Sequence, residues 1–419
     1  MSTVDEEAFT STARAGTGGA AGAQELSQAA RLARRLLRRM GDPPIAIRVW
    51  TGETAGPANP QATLVVHSRR AFYRLGLDPE RQFGDLYSEG ELEVEGDLVE
   101  FLKVVYEGMR DSGYRDRWLP NAFEAVRRRG AHTLAAAREN IHRHYDLGND
   151  FYSLWLGSTM QYTCAYYAQA DYDLDAAQTA KMDHVCRKVW LKPGESVVEA
   201  GCGWGSLAVH MARSYGVKVR AFNISREQVE FARERVRALG LADRVEYVLD
   251  DYRNITGQYD AFVSIGMLEH VGPENYPTLG SVIRRSIGSH GRAIVHSIGR
   301  DRAGPMNAWI EARIFPGAHP PSLTEMMTIF EPARLSVLDV ENLRLHYART
   351  LQHWLEHYEG AVDQVRTRFG EHFVRMWRLY LSGSIAAFQS GDLQLFQVVV
   401  APREKSDLPR TRAHLYGGR

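Results

Sequence analysis

Between residues 196 and 300 short apolar runs alternate with amphipathic stretches. Ser196–Glu199, Val217–Phe222, Val245–Leu249, Ala261–Ile265 and Arg292–Ser297 are brief and rich in β-branched or aromatic residues, as buried strands are. Leu207–Tyr215 and Glu227–Leu239 repeat apolar residues at helical spacing. Strands alternating with helices predict an α/β fold with a doubly wound parallel sheet. Leu393–Ala401 predicts a last strand, and residues 305–345 break the alternation with Pro, Met and aromatic residues, which predicts an inserted cap.

The pattern upstream is different. A helix is expected over about 24–40, with Leu32, Leu36 and Leu37 set among Arg34, Arg35, Arg38 and Arg39, and Gly41-Asp42-Pro43-Pro44 stops it. Ile45–Trp50 and Ala62–Val66 are β-rich, and 70–110 mixes helix and strand. These features predict a small α+β unit over 25–130, a joint at Arg127-Arg128-Arg129-Gly130, a catalytic domain over 131–403 and a tail over 404–419. Residues 1–24, rich in Ala, Gly, Ser and Thr, predict a disordered start.

Composition removes several function classes. Lys+Arg and Asp+Glu both total 51, so the global basic excess of a nucleic-acid binder is missing. Cys164, Cys186 and Cys202 match neither a disulfide framework nor a zinc ribbon, so no metal site is expected, and reduced thiols point to the cytoplasm. There is no apolar run of spanning length, so any membrane contact is expected to be peripheral.

The first strand runs into Glu199-Ala200-Gly201-Cys202-Gly203-Trp204-Gly205 and then a helix. Glycines there let the backbone turn sharply in the crevice where doubly wound sheets bind nucleotides. The spacing is neither the dinucleotide fingerprint nor a P-loop. Glu199 suits the ammonium of S-adenosylmethionine (SAM). Asp250-Asp251-Tyr252, after the third strand, offers an acid to a purine amino group and a stacking face. The second strand ends without an acid, leaving Asn223 and Gln228 as candidate ribose partners.

Further segments carry a family likeness: His144-Tyr145-Asp146-Leu147-Gly148-Asn149-Asp150, Met160–Tyr167, Met267-Leu268-Glu269-His270-Val271-Gly272, His296-Ser297-Ile298-Gly299 and His346–Leu351. In this order they resemble the bacterial cyclopropane-fatty-acid synthases and mycolic-acid methyltransferases, over about 140–402. The resemblance implies a Rossmann-like class I SAM methyltransferase domain. It implies SAM contacts at Tyr145, Gly201, Gly203, Gln228, Asp251 and Tyr252. It also implies a bicarbonate ion held by Cys164, Glu269, His296, Tyr347 and the Ile298 backbone. Asn223 departs from the Thr these enzymes commonly carry.

The chemistry so implied is transfer of a one-carbon unit to the cis double bond of an unsaturated phospholipid acyl chain. An isolated alkene has no acidic proton, so catalysis must align it with the sulfonium methyl in a dry pocket. Aromatic faces steady the resulting cation; Tyr162, Tyr166, Tyr167, Trp309, Phe315, Phe330 and Tyr347 are candidates. A hydride shift before proton loss would give a methylene-branched chain instead of a ring. A small-molecule SAM methyltransferase and a non-catalytic lipid binder are the other readings. The Arg/Leu helix and Arg127–Arg129 predict peripheral docking at the inner face of the membrane, and the N-terminal unit leaves room for a homodimer.

Overall fold

The computed structural model describes residues 27–111 and 147–416. The expectations for 1–24, Arg127–Gly130, the domain start at 131 and Tyr145 lie outside the described residues.

The N-terminal unit opens with the helix Gln28–Arg39, capped by the Ser27 hydroxyl, which accepts from Ala30 N–H. Ala30, Ala33 and Leu37 are buried, one stripe at helical spacing, while Arg31, Arg34, Arg35, Arg38 and Arg39 stay exposed. Strands β1 (Ile45–Arg48), β2 (Thr54–Ala55), β3 (Ala62–Val66) and β4 (Leu92–Glu95) form a sheet in the order β2-β1-β3-β4. β1 and β3 are parallel and the other pairs antiparallel. The helices Arg69–Leu77, Pro79–Ser88 and Leu98–Asp111 complete the unit.

The second sheet has seven strands: β5 (Ser196–Ala200), β6 (Lys218–Asn223), β7 (Val245–Leu249), β8 (Ala261–Ile265), β9 (Arg292–Arg300), β10 (Leu335–Asn342) and β11 (Leu393–Pro402). Their order is β10-β11-β9-β8-β5-β6-β7, with β11 antiparallel to both neighbours and β5 to β9 parallel. Strand order reverses between β5 and β8, which opens the crevice above the carboxyl end of β5. Alternate residues serve opposite cores: Val197 packs with the helices Leu174–Lys188 and Ser206–Tyr215, and Val198 packs with the helix Tyr276–Ile287.

One expectation needs correction. The interval 305–345 is not one cap. The helix Ala308–Arg313 covers the site, whereas the helix Leu323–Phe330 packs against Tyr276–Ile287 and leads into β10, an edge strand of the main sheet. β10 is only part buried along its length, so Ser, Asp and Glu break its apolar alternation. Within the tail, the short helix Ala413–Tyr416 buries Leu415 and packs against Leu174–Lys188. Between β10 and β11 stand the long helices Arg344–Gly360 and Glu371–Ser390, which bring much of the site's apolar wall.

Candidate active site

Gly201, Gly203 and Gly205 follow β5 with φ of 83°, 53° and 82°, the left-handed region that glycine enters without strain. The loop borders a cavity of about 1040 Å³, counting its open mouth. Glu199, Asn223, Gln228, Asp251 and Tyr252 line it too, so every expected cofactor residue within the described region meets there. Asn223 Nδ2 donates to Gln228 Oε1 (2.8 Å) and to the Gly203 carbonyl (3.2 Å), tying the end of β6 to the glycine loop. Asp251 accepts from Arg253 N–H (2.9 Å) and pairs with the Arg253 guanidinium (3.0 Å). Glu199 is 2 % exposed, and burial pushes its carboxyl up to about 8. Its Oε2 has no hydrogen-bond partner. An orphaned buried carboxylate oxygen beside bare glycine backbone suits the cationic amino-acid end of SAM.

A second cavity, of about 1440 Å³, is mostly apolar. Phe83, Leu102 and Tyr106 reach it from the N-terminal unit, Trp309 and Phe315 from the cap, and Leu379, Tyr380 and Phe388 from Glu371–Ser390. The two cavities meet: Tyr162, Thr163, Gly266 and His270 line both. Gly266 has φ 71°, and a Cβ there would come within 2.8 Å of Thr163 Cγ2, so a side chain would crowd the passage.

Glu269, His296, Ile298 and Tyr347 line the apolar cavity beside that junction. Glu269 Oε1 accepts from Ile298 N–H at 2.6 Å, while Oε2 is buried without a partner. Burial pushes the Glu269 carboxyl up to about 7. Burial also holds the His296 imidazole well below its usual range, hence neutral. Gln397 Nε2 donates to His296 Nδ1 (3.0 Å), leaving the ring proton on Nε2.

The arrangement departs from expectation at three points. The Cys164 thiol turns toward the carbonyls of Ala165 (3.1 Å) and Leu343 (3.9 Å) rather than into the cavity. The Ile298 N–H is engaged by Glu269, so it does not stand ready for an anion. Of the seven candidate aromatics, Tyr162, Trp309, Phe315 and Tyr347 line the cavity. Tyr166 instead stacks between His184 and His346, Tyr167 lies under Arg349, and Phe330 belongs to the sheet core. Sequence reasoning missed Phe83, Leu102, Tyr106 and Tyr380, which come from distant helices without a local motif.

A family model described as mycolic acid cyclopropane synthetase matches residues 132–398. The chain is 37% identical over 386 residues to a probable fatty acid methyltransferase of Pseudomonas putida, covering 89% of this chain and 96% of that one. It is 35% identical over 376 residues to the cyclopropane-fatty-acyl-phospholipid synthase of Escherichia coli strain K12, covering 88% and 92%. It is 34% identical over 387 residues to a tuberculostearic acid methyltransferase of Mycobacterium tuberculosis, covering 88% and 90%. Among solved structures, a mycolic acid cyclopropane synthase complexed with SAH (S-adenosylhomocysteine) and CTAB superposes with a TM-score of 0.60 at 28% identity, covering 63% of this chain and 97% of that one. Glycine loop, joined cavities and family match agree: the chain belongs to the mycolic acid cyclopropane synthetase family of SAM-dependent lipid methyltransferases.

Proposed function

We propose that this enzyme adds a methylene unit to the cis double bond of an unsaturated phospholipid acyl chain, forming a cyclopropane. The observation that carries this reading is the apolar, aromatic-walled cavity that meets the cofactor cavity at Tyr162, Thr163, Gly266 and His270. Bound SAM supplies an electrophilic methyl group. The chain's contribution to attack is to exclude water and hold the double bond at the junction. Tyr162 and Tyr380, hydrogen-bonded through their hydroxyls at 2.8 Å, present aromatic surface there for the cation that follows. Ring closure breaks a C–H bond of the added methyl. Its electron pair makes the second C–C bond and the proton passes to a base. Bicarbonate, the base we favour, would be held by Glu269, His296 and Tyr347, with Glu269 Oε2 accepting its O–H. The donors fit incompletely, since Cys164 and the Ile298 N–H are already engaged.

The relatives named for fatty acid methyl transfer favour a second reading, in which a hydride shift precedes proton loss and the product is methylene-branched. In either case the enzyme docks peripherally on the cytoplasmic face of the membrane through the arginine face of Gln28–Arg39. Among the described residues no helix is long and apolar enough to cross a membrane.

Incubation of the protein with SAM and unsaturated phospholipid vesicles, followed by mass spectrometry of the fatty acids, is expected to show gain of one CH₂. Mild hydrogenation then separates a ring, which survives, from an exocyclic methylene, which takes up hydrogen. Glu269→Gln is expected to lower turnover by about 10²–10⁴-fold with SAH affinity kept. Full activity in that variant would remove Glu269 from the chemistry, and no product on any unsaturated lipid would overturn the acceptor.

A further inference from the structure

Behind the wall of the cofactor cavity lies a lysine that the reaction above does not use. Lys181, in the helix Leu174–Lys188, is fully buried. Its ammonium donates to Gln161 Oε1 and to Thr163 Oγ1 (2.9 Å). Both acceptors line the cofactor cavity, and Thr163 lines the acyl cavity as well. An ammonium is seldom buried to this degree without an opposite charge. The nearby carboxylate is Glu199, whose field acts on Lys181 and is acted on in return. Yet the two make no close ion pair: the lysine's bonds go to neutral oxygens of the 161–163 segment, and Glu199 Oε2 is left open.

The surroundings isolate this pair. The titratable groups facing it are Cys164, Cys186, His296, Cys202 and Tyr247. Burial drives the thiols of Cys164 and Cys202 and the Tyr247 hydroxyl upward, and the His296 imidazole downward, all toward their neutral forms. Lys181 and Glu199 are then left as the opposed charges, and each favours ionisation of the other.

We propose that Lys181 is a positioning residue for cofactor binding: it fixes the Gln161–Thr163 wall at the junction, and its charge favours the ionised form of Glu199, whose open oxygen meets the ammonium of the cofactor's amino-acid end. The inference rests on the assignment of the first cavity to SAM. Burial raises Glu199 to about 8 and lowers Lys181 to about 8, so the carboxyl takes up its charge from neutral pH upward and small influences on it change its ionised fraction there. Loss of the lysine charge removes the influence that lowers Glu199. The carboxyl then holds its proton to higher pH, and cofactor affinity at neutral pH falls.

The test is calorimetric titration of the full-length protein with SAH from neutral to mildly alkaline pH, with no lipid present. Lys181→Met is expected to weaken SAH about tenfold or more at neutral pH, one pKa unit of Glu199 being worth a factor of ten, and to move the midpoint of the pH dependence upward. In a Glu199→Gln background the same substitution is expected to leave no pH-dependent effect. Lys181→Gln keeps a donor to Thr163 without the charge and is expected to show the same upward shift; it serves if Lys181→Met does not fold. Wild-type affinity and midpoint in both variants would overturn the proposal. Weaker binding with an unmoved midpoint would do so too, reducing Lys181 to a structural role. Failure of the wild-type chain to bind SAH at any pH would instead overturn the cofactor reading beneath it.

Discussion

Glu269 is held in the protein against its own preference for water. One oxygen takes the Ile298 N–H, the other has no partner, and burial lifts the carboxyl to about 7 from an ordinary 4.5. A carboxyl whose folded pKa is raised binds its proton more tightly in the native state. Its contribution to stability is therefore full below 4.5 and is lost as pH rises toward 7. Glu269→Gln keeps the acceptor for Ile298 and removes the buried charge. It is expected to raise thermal stability above pH 7 by at most roughly 3 kcal/mol, and to change little in mild acid. Scanning calorimetry on both sides of neutrality checks this; an equal shift at both pH values would contradict the account. In the same variant turnover is expected to fall, an exchange of stability for function at one residue. At this scale the sequence was informative where a motif carried the residue. Glu269, His296 and Tyr347, which the resemblance named, line one cavity. The direction of the Cys164 thiol was not legible, because it depends on the packing of Leu343 and Thr350 against its loop. Nor was the burial of Lys181, since a lysine in a polar-looking helix reads as a solvated one.

The helices that build the apolar cavity come from both ends of the chain. Leu98–Asp111 packs along Glu371–Ser390, and Pro79–Ser88 meets both Glu371–Ser390 and the cap helix Ala308–Arg313. Polar contacts pin them: Arg313 grips both oxygens of Asp85 (2.9 and 3.0 Å), and Arg375 donates to the carbonyls of Tyr87 (2.6 Å) and Leu92 (2.8 Å). At the centre the Trp309 indole lies where a side chain on Gly84 would stand. Gly84→Val is therefore expected to push the cap from the N-terminal unit and to cost about 1–3 kcal/mol of stability. Methylene transfer should fall sharply. SAH affinity should hold, because the residues lining the cofactor cavity all lie between Met160 and Val271. Paired activity assays and SAH titrations decide it, and equal loss of both would show that the two cavities are not independent. The parallel strands were legible because they are buried on both faces and read as apolar runs. β10 was not, for it mixes polar and apolar residues at a sheet edge, and neither was Glu371–Ser390, part of whose packing comes from N-terminal helices hundreds of residues away.

The whole molecule is electrically neutral, yet its charge is unevenly spread. Five arginines of Gln28–Arg39 are exposed on one helix that contains no acid, with Leu32 exposed among them. The proposed acceptor, an acyl chain of a phospholipid, lies in a bilayer, and a neutral protein gains no general attraction to one. A local cationic face supplies that attraction, at about 1 kcal/mol per arginine near an anionic surface, and salt screens it within a Debye length. Replacing Arg31, Arg35 and Arg38 with Gln, a good helix former, leaves the buried stripe of Ala30, Ala33 and Leu37 untouched. Co-sedimentation with anionic phospholipid vesicles at low salt is expected to weaken by roughly a hundredfold, three arginines' worth of surface attraction. Wild-type binding should decline toward that of the variant as salt is added, and SAH affinity should be equal in the two. Unchanged vesicle binding would move the docking surface elsewhere. The cavity wall contributed by Phe83, Leu102 and Tyr106 would still tie the N-terminal unit to the acyl chain, because that role depends on packing and not on charge.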